Sequence, residues 1–254
     1  MQPSLVRGAM SKKLGSFSLL LEVDATIAAH AIADHKTHTG VSLSFTGFLV
    51  RCLARAVAEN KQIYRSSRKQ LQLEIHGVHV GVLLEHDADS ARALTGHVIR
   101  AADRRTFRDI HDEIREVQSA PPSQDMLRRP RFLRRFFRRF DRTATVSLTS
   151  IGVGAGHSGW GVSTIPSPLD VVVGGLATKP VYMDGEPEPR EILDLSLIFD
   201  CDVVDALAPG FVQQLVDLIE NADGLDEIRP LDATPPPPRS NSRFLRARGD
   251  RYAG

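Results

Sequence analysis

Hydrophobic residues recur along this chain in two rhythms, and the switches between them lay out strands and helices. From Leu193 to Phe199, Leu193, Leu195, Leu197 and Phe199 alternate with Asp194, Ser196 and Ile198, the period-two signature of a strand. Further on, Phe211, Leu215 and Leu218, flanked by Val212, Val216 and Ile219, repeat at helical spacing through Glu220. Between the two lies an acidic corner in which Asp200, Asp202 and Asp205 surround Cys201. Asp205 reads as the N-cap of the helix, with Pro209 in or near its first turn, where proline is tolerated. The pattern therefore delivers Cys201 from the end of a strand into a tight turn before a helix.

The same reading applied upstream predicts a strand over Phe17 to Asp24, a helix over Ala25 to His38 and a second helix over Thr46 to Asn60, whose buried face is Phe45, Leu49, Leu53 and Val57. Cys52 falls in that helix as a small buried hydrophobe. Leu71 to Ile75 and Val78 to Leu84 read as two short strands joined at His76 and Gly77, and Leu94 to Arg100 as another. Thr106 followed by Asp109 is close to a capping box, opening a helix faced by Phe107, Ile110, Ile114 and Val117. Thr145 to Ser150 and Leu169 to Leu176 complete the strands.

Composition adds bounds to this picture. A chain of 254 residues with 42% hydrophobic content supports a substantial core, and a formal net charge of +1 gives no global argument for nucleic acid. The two cysteines, Cys52 and Cys201, have no zinc or disulfide spacing. No stretch has the apolar run of a signal peptide or membrane span, so a reducing, cytoplasmic setting is expected, with no metal.

Charge is nevertheless uneven. In Leu127 to Arg142, Phe132, Phe136 and Phe140 take one side of a helical projection, and Arg134, Arg135, Arg138 and Arg139 the other. Such a segment fits an anionic surface or, as the blander alternative that the near-neutral total favours, an amphipathic helix on the core or a neighbouring subunit. Gly152, Gly154, Gly156, Gly159 and Gly161 form a loop carrying His157 and Trp160, without phosphate-loop or dinucleotide spacing. From Gly224 onward the periodicity fails, and Pro235 to Pro238 followed by scattered arginines read as a disordered tail. The expected division is an N-terminal arm over 1–16, one domain over 17–223 and a tail over 224–254.

The corner Phe199, Asp200, Cys201, Asp202, Val203, Val204, Asp205, Ala206 resembles the Phe-Asp-His-x-x-x-Asp-Gly signature of the catalytic domain of 2-oxoacid dehydrogenase dihydrolipoyl acyltransferases, relatives of chloramphenicol acetyltransferase. Cys201 stands at the family's histidine and Ala206 at its glycine. Supporting likenesses are Arg100, Ala101, Ala102, Asp103 to the family's Arg-Asp-Ala-Asp; Thr145, Ser147, Thr149, Ser150, Ile151 and Gly152 to its Thr-x-Thr-x-Ser-Asn-Leu-Gly; and Lys179, Pro180, Val181 to its Lys-Pro-Val.

The resemblance implies an α/β fold, a two-layer chloramphenicol acetyltransferase-like domain with a mixed sheet packed against helices, assembling as a homotrimer. It implies acyl transfer between coenzyme A, as CoA or acyl-CoA substrate, and an acceptor thiol or similar nucleophile, with 2-oxoacid dehydrogenase-type partner subunits. No lipoyl attachment domain is expected in this chain. The implied catalytic residues are Cys201 at the base position, Asp205 holding the site's geometry by pairing with an arginine such as Arg7, and Thr149 as the oxyanion-stabilising hydroxyl across a subunit interface. A thiol amid three aspartates is a poor replacement for imidazole, because negative neighbours disfavour a thiolate. The sequence thus leaves three readings: an acyltransferase with a non-standard site, active or impaired, a non-catalytic trimeric scaffold or regulatory subunit (a pseudoenzyme), and an anionic-surface module. His97 and His157 are the remaining histidines considered for the base.

Overall fold

The computed structural model describes residues 15–86, 93–120, 144–150, 157–163, 167–205 and 209–228. It is an α/β fold built on one mixed sheet of six strands. The elements run β1 (Ser16–Asp24), α1 (Thr26–Thr39), α2 (Phe45–Glu59), α3 (Ser67–His76), β2 (Val80–His86), β3 (Ala93–Ile99), α4 (Phe107–Ser119), β4 (Val146–Ser150), β5 (Leu169–Met183), β6 (Glu186–Asp200) and α5 (Pro209–Glu220). Strand order across the sheet is β1-β6-β5-β4-β2-β3. The pairs β4 with β2 and β4 with β5 are parallel and the others antiparallel.

Alternation explains why the helices gather on one face. Leu193, Leu195, Leu197 and Phe199 of β6 join Val171 and Val173 of β5, Val146 and Leu148 of β4, and Val80 and Val82 of β2 in a single buried cluster with Phe48, Leu53 and Val57 of α2, Phe107 and Ile110 of α4, and Phe211 and Leu215 of α5. Phe199 meets Phe211 edge to face, with ring centroids 6.4 Å apart. Ser44 caps α2 by accepting the Gly47 N–H, and the expected capping box at Thr106 and Asp109 is present on α4.

One local expectation fails. Leu71 to Ile75 is not a strand but part of α3. Arg68, Lys69, Gln70 and Gln72 are good helix formers, and in the helix Leu71 and Ile75, at i and i+4, share an exposed face while Leu73 alone is buried. The described part of α5 opens at Pro209, and residues 206–208, on which the expected cap by Asp205 depends, lie outside the described residues. The hairpin β5–β6 also runs far beyond the expected strands, to Met183 and Glu186, with Pro180 opposite Pro189. The arginine-rich segment 127–142, Arg7 and most of the 224–254 tail lie outside the described residues.

Candidate functional site

The corner after β6 is held by backbone. Asp200 donates its N–H to Pro168 O at 3.0 Å and its carbonyl accepts from Val203 and Val204. Its carboxylate accepts the Asp202 N–H at 3.0 Å. Val204 bridges to Tyr64, Arg65 donates to Val203 O at 2.9 Å, and Asp205 donates its N–H to Ile63 O at 2.7 Å. Tyr64 is fully buried, its hydroxyl donating to Thr145 O at 2.7 Å. Cys201 sits at the rim of this corner, partly exposed, its N–H on Gly15 O and its thiol 3.9 Å from Phe199 O. Asp205 is thus tied in through its main chain.

Thr149 lies elsewhere. It pairs with Leu83 of β2 and Val172 of β5, and Val172 pairs in turn with Ser196 of β6. Cys201 is five residues past Ser196, so the two candidates lie roughly 16 Å apart along the strands and two strand spacings across. Within one chain, Cys201 and Thr149 are not brought together, whereas Cys201 and Asp205 share the corner.

The face of the sheet away from the helices is unexpectedly polar, and sequence reading missed it. Ser147 and Thr149 of β4, Asp170 of β5, and Asp194 and Ser196 of β6 are all buried there, each one residue out of phase with the apolar core positions. Residues 157–163 cross this face close to β5. Gly175 donates to Gly159 O at 3.0 Å, and a side chain at either Gly174 or Gly175 would run into the backbone of that crossing segment. Asp194 accepts from Ser158 Oγ and the Gly159 N–H, both at 2.6 Å, and from Lys179 Nζ at 3.2 Å. Burial pushes its carboxyl up, but the hydroxyl, amide and ammonium donors outweigh that and hold it below the usual carboxylate range. Lys179 also reaches Glu22 and lies 5.8 Å from the Trp160 ring, whose indole donates to Leu21 O.

Asp170 contrasts with Asp194. It accepts the Ser147 hydroxyl at 2.5 Å, yet burial dominates over that bond and one from Ser163 and pushes its carboxyl up. Its second oxygen, Thr149 Oγ1 and Ser196 Oγ are buried without a hydrogen-bond partner among the described residues. Such atoms typically cost about 1–3 kcal/mol each.

The two alternative histidines have different surroundings. His97 faces α4, its Nε2 2.5 Å from Glu113 Oε1, and Arg105 also grips that carboxylate. Burial raises the Glu113 carboxyl, and the His97 and Arg105 contacts more than reverse this. His157 is exposed at the start of the crossing segment. Cys52 is buried in α2, and burial pushes its thiol well up, as suits an inert core residue. Among the described residues no cluster of three metal-ligating side chains occurs, and no helix is long and apolar enough to cross a membrane.

No protein-family model matches the chain. It is similar to the lipoamide acyltransferase component of the branched-chain alpha-keto acid dehydrogenase complex of Pseudomonas putida, 27% identical over 215 residues, covering 82% of this chain and 48% of that one. The chain thus spans about half the length of the curated relatives it matches. Among solved structures, a probable dihydrolipoamide acetyltransferase from Listeria monocytogenes superposes with a TM-score of 0.58 at 20% identity, covering 92% of this chain and 97% of that one. A chloramphenicol acetyltransferase superposes with a TM-score of 0.50 at 13% identity over 82% and 87%. The chain therefore has the chloramphenicol acetyltransferase-like fold, and its homologues and structural neighbours are dihydrolipoyl acyltransferases of 2-oxoacid dehydrogenase complexes and their catalytic cores.

Proposed function

We propose that the chain is an acyltransferase of the dihydrolipoyl type, moving an acyl group between coenzyme A and an acceptor thiol. The observation that carries this reading is Thr149: a hydroxyl at the family's oxyanion position, buried with no partner of its own among the described residues. A donor left without an acceptor among the described residues is what a developing oxyanion requires, and losing one such donor in comparable chemistry costs about a hundredfold to a thousandfold in rate.

In the reaction, the acceptor sulfur gives up its proton and bonds to the acyl carbon, the bond from that carbon to the CoA sulfur breaks, and CoA leaves as a thiol after taking up a proton. Because Cys201 and Thr149 lie far apart in one chain, the reading needs Cys201 and Asp205 of one protomer to face Thr149 of another, which fits a homotrimer. Partner subunits of a 2-oxoacid dehydrogenase type belong to the same proposal.

The second reading is a scaffold or regulatory subunit that keeps the assembly without turnover, and the absence of imidazole at position 201 is the observation favouring it. Acetyl-CoA turnover with dihydrolipoamide decides between them, measured in the parent, Cys201→His and Cys201→Ala. Turnover in the parent supports the enzyme, and its loss in Cys201→Ala makes the thiol the working group. A silent parent, with activity only in Cys201→His, establishes the scaffold reading. Light scattering gives the protomer number, and a monomer at working concentration removes the shared site.

A further inference from the structure

We propose that Asp170 and Ser196 form a subsite on the polar face of the sheet that holds an amide group in the arm of a thiol substrate, with Thr149 at its neighbouring end. The choice of ligand class rests on the acyltransferase reading above. The subsite itself stands on three side chains that are 2%, 0% and 9% exposed for Asp170, Ser196 and Thr149, and each carries a buried polar atom without a partner among the described residues.

Register brings them together. Asp170 pairs with Ile198 on the antiparallel β5–β6 ladder, so Ser196 is its diagonal neighbour on the same face. Diagonal neighbours lie roughly 7–8 Å apart, about the reach of one amide hydrogen-bonded at both ends. Val172, opposite Ser196 and beside Thr149, supplies an apolar floor between them.

The donor and acceptor inventory selects the ligand. With Asp170 Oδ1 taken by Ser147, Oδ2 of the ionised carboxylate can only accept, whereas the Ser196 hydroxyl can donate. An amide supplies an N–H for the first and a carbonyl oxygen for the second. A carboxylate in the same place would set two anions together, and a plain alkyl arm would leave all three polar atoms as they are. Both dihydrolipoamide and CoA carry amides on the arm behind the thiol, and they must be told apart by experiment.

Asp170 and Ser196 are positioning residues here, acting on substrate placement and not on bond making. Binding of dihydrolipoamide, dihydrolipoate and CoA is measured by calorimetry in the parent, Asp170→Asn, Ser196→Ala and Ser196→Thr, with circular dichroism and light scattering confirming that each variant is folded and assembled. Ser196→Ala is expected to weaken binding of the amide ligand about three- to tenfold and Asp170→Asn about tenfold or more, with Ser196→Thr restoring it. In turnover the same loss appears in KM, with kcat retained.

Dihydrolipoate, which carries a carboxylate in the amide's place, is expected to bind the parent more weakly than dihydrolipoamide, to gain with Asp170→Asn as the second anion is removed, and not to share the loss in Ser196→Ala. If the loss falls on dihydrolipoamide the subsite serves the acceptor arm, and if on CoA it serves the donor arm. Folded variants that bind both ligands as the parent does would overturn the proposal and leave the three atoms to internal water. A parent that binds neither thiol ligand sinks the acyltransferase reading as well. A parent that binds but does not turn over leaves the subsite standing and sinks only the enzyme.

Discussion

The two faces of the central sheet are made from the same strands yet solve opposite problems. Toward the helices, Leu195, Leu197, Val171, Leu148 and Val82 pack into a core that carries almost no polar atoms. Toward the crossing segment 157–163, Asp170, Asp194, Ser196, Ser147 and Thr149 are just as deeply buried, and three of their atoms lack partners among the described residues. One face stabilises by area removed from water, while the other carries buried polar atoms that have no hydrogen-bond partner among the described residues, the cost that the proposed subsite would account for. The contrast teaches that burial by itself does not mark the core of this molecule.

The largest expected effect tests the helix face. Phe48→Ala, at a fully buried position of α2, should lower unfolding stability by about 3–5 kcal/mol, read from denaturant midpoints at constant slope. A loss below about 1 kcal/mol would mean that α2 does not anchor the core. On the polar face, Gly175→Ala drives a methyl into the backbone at His157 and Ser158. About 1–3 kcal/mol of stability should go with it, accompanied by a change in Trp160 fluorescence as the crossing segment is pushed off. Unchanged fluorescence would show that the segment is not seated against β5.

How much of this was legible in the sequence follows the same division. The helix face announced itself, because Leu193, Leu195, Leu197 and Phe199 alternate cleanly and Phe211, Leu215 and Leu218 repeat at helical spacing. The polar face did not, since Asp194 and Ser196 at the alternate positions look like solvent-facing residues until something covers them. The one available signal was Gly174–Gly175 inside an apolar strand, which marks a bulge and a close backbone approach, read together with the glycine-rich loop upstream.

The α3 error has a related cause. Leu71, Leu73 and Ile75 alternate like a strand, but two of the three are exposed, so the period carried no burial information. The far hairpin was hidden because Pro180, Pro187 and Pro189 argue against ladder positions, yet there the strands stand clear of the sheet as an exposed pair. Cys201 at the corner was legible as a position, while its distance from Thr149 depended on strand order, which no local pattern encodes.

The finest test sets the two buried aspartates of the polar face against each other. Asp170 is raised by burial, so its ionised form is disfavoured in the folded chain; the penalty appears as pH rises through the ordinary carboxylate value and is complete above the raised one. Asp194 is lowered despite burial by its Ser158, Gly159 and Lys179 contacts, so its contribution is present above the ordinary value and is lost as pH falls through the depressed one. Asp170→Asn should therefore gain stability relative to the parent as pH rises from 3 to 7, by about 1 kcal/mol. Asp194→Asn should lose by a similar amount at neutral pH, with the gap narrowing in acid. Thermal melts across that pH range decide it. If both variants moved in the same direction with pH, the polar face would be an ordinary charged surface, and the argument that Asp170 is held in reserve for a ligand would fail with it. If they diverge, Asp170→Asn becomes a variant that is more stable and binds its substrate less well, which is the signature of a residue kept for function at the expense of the fold.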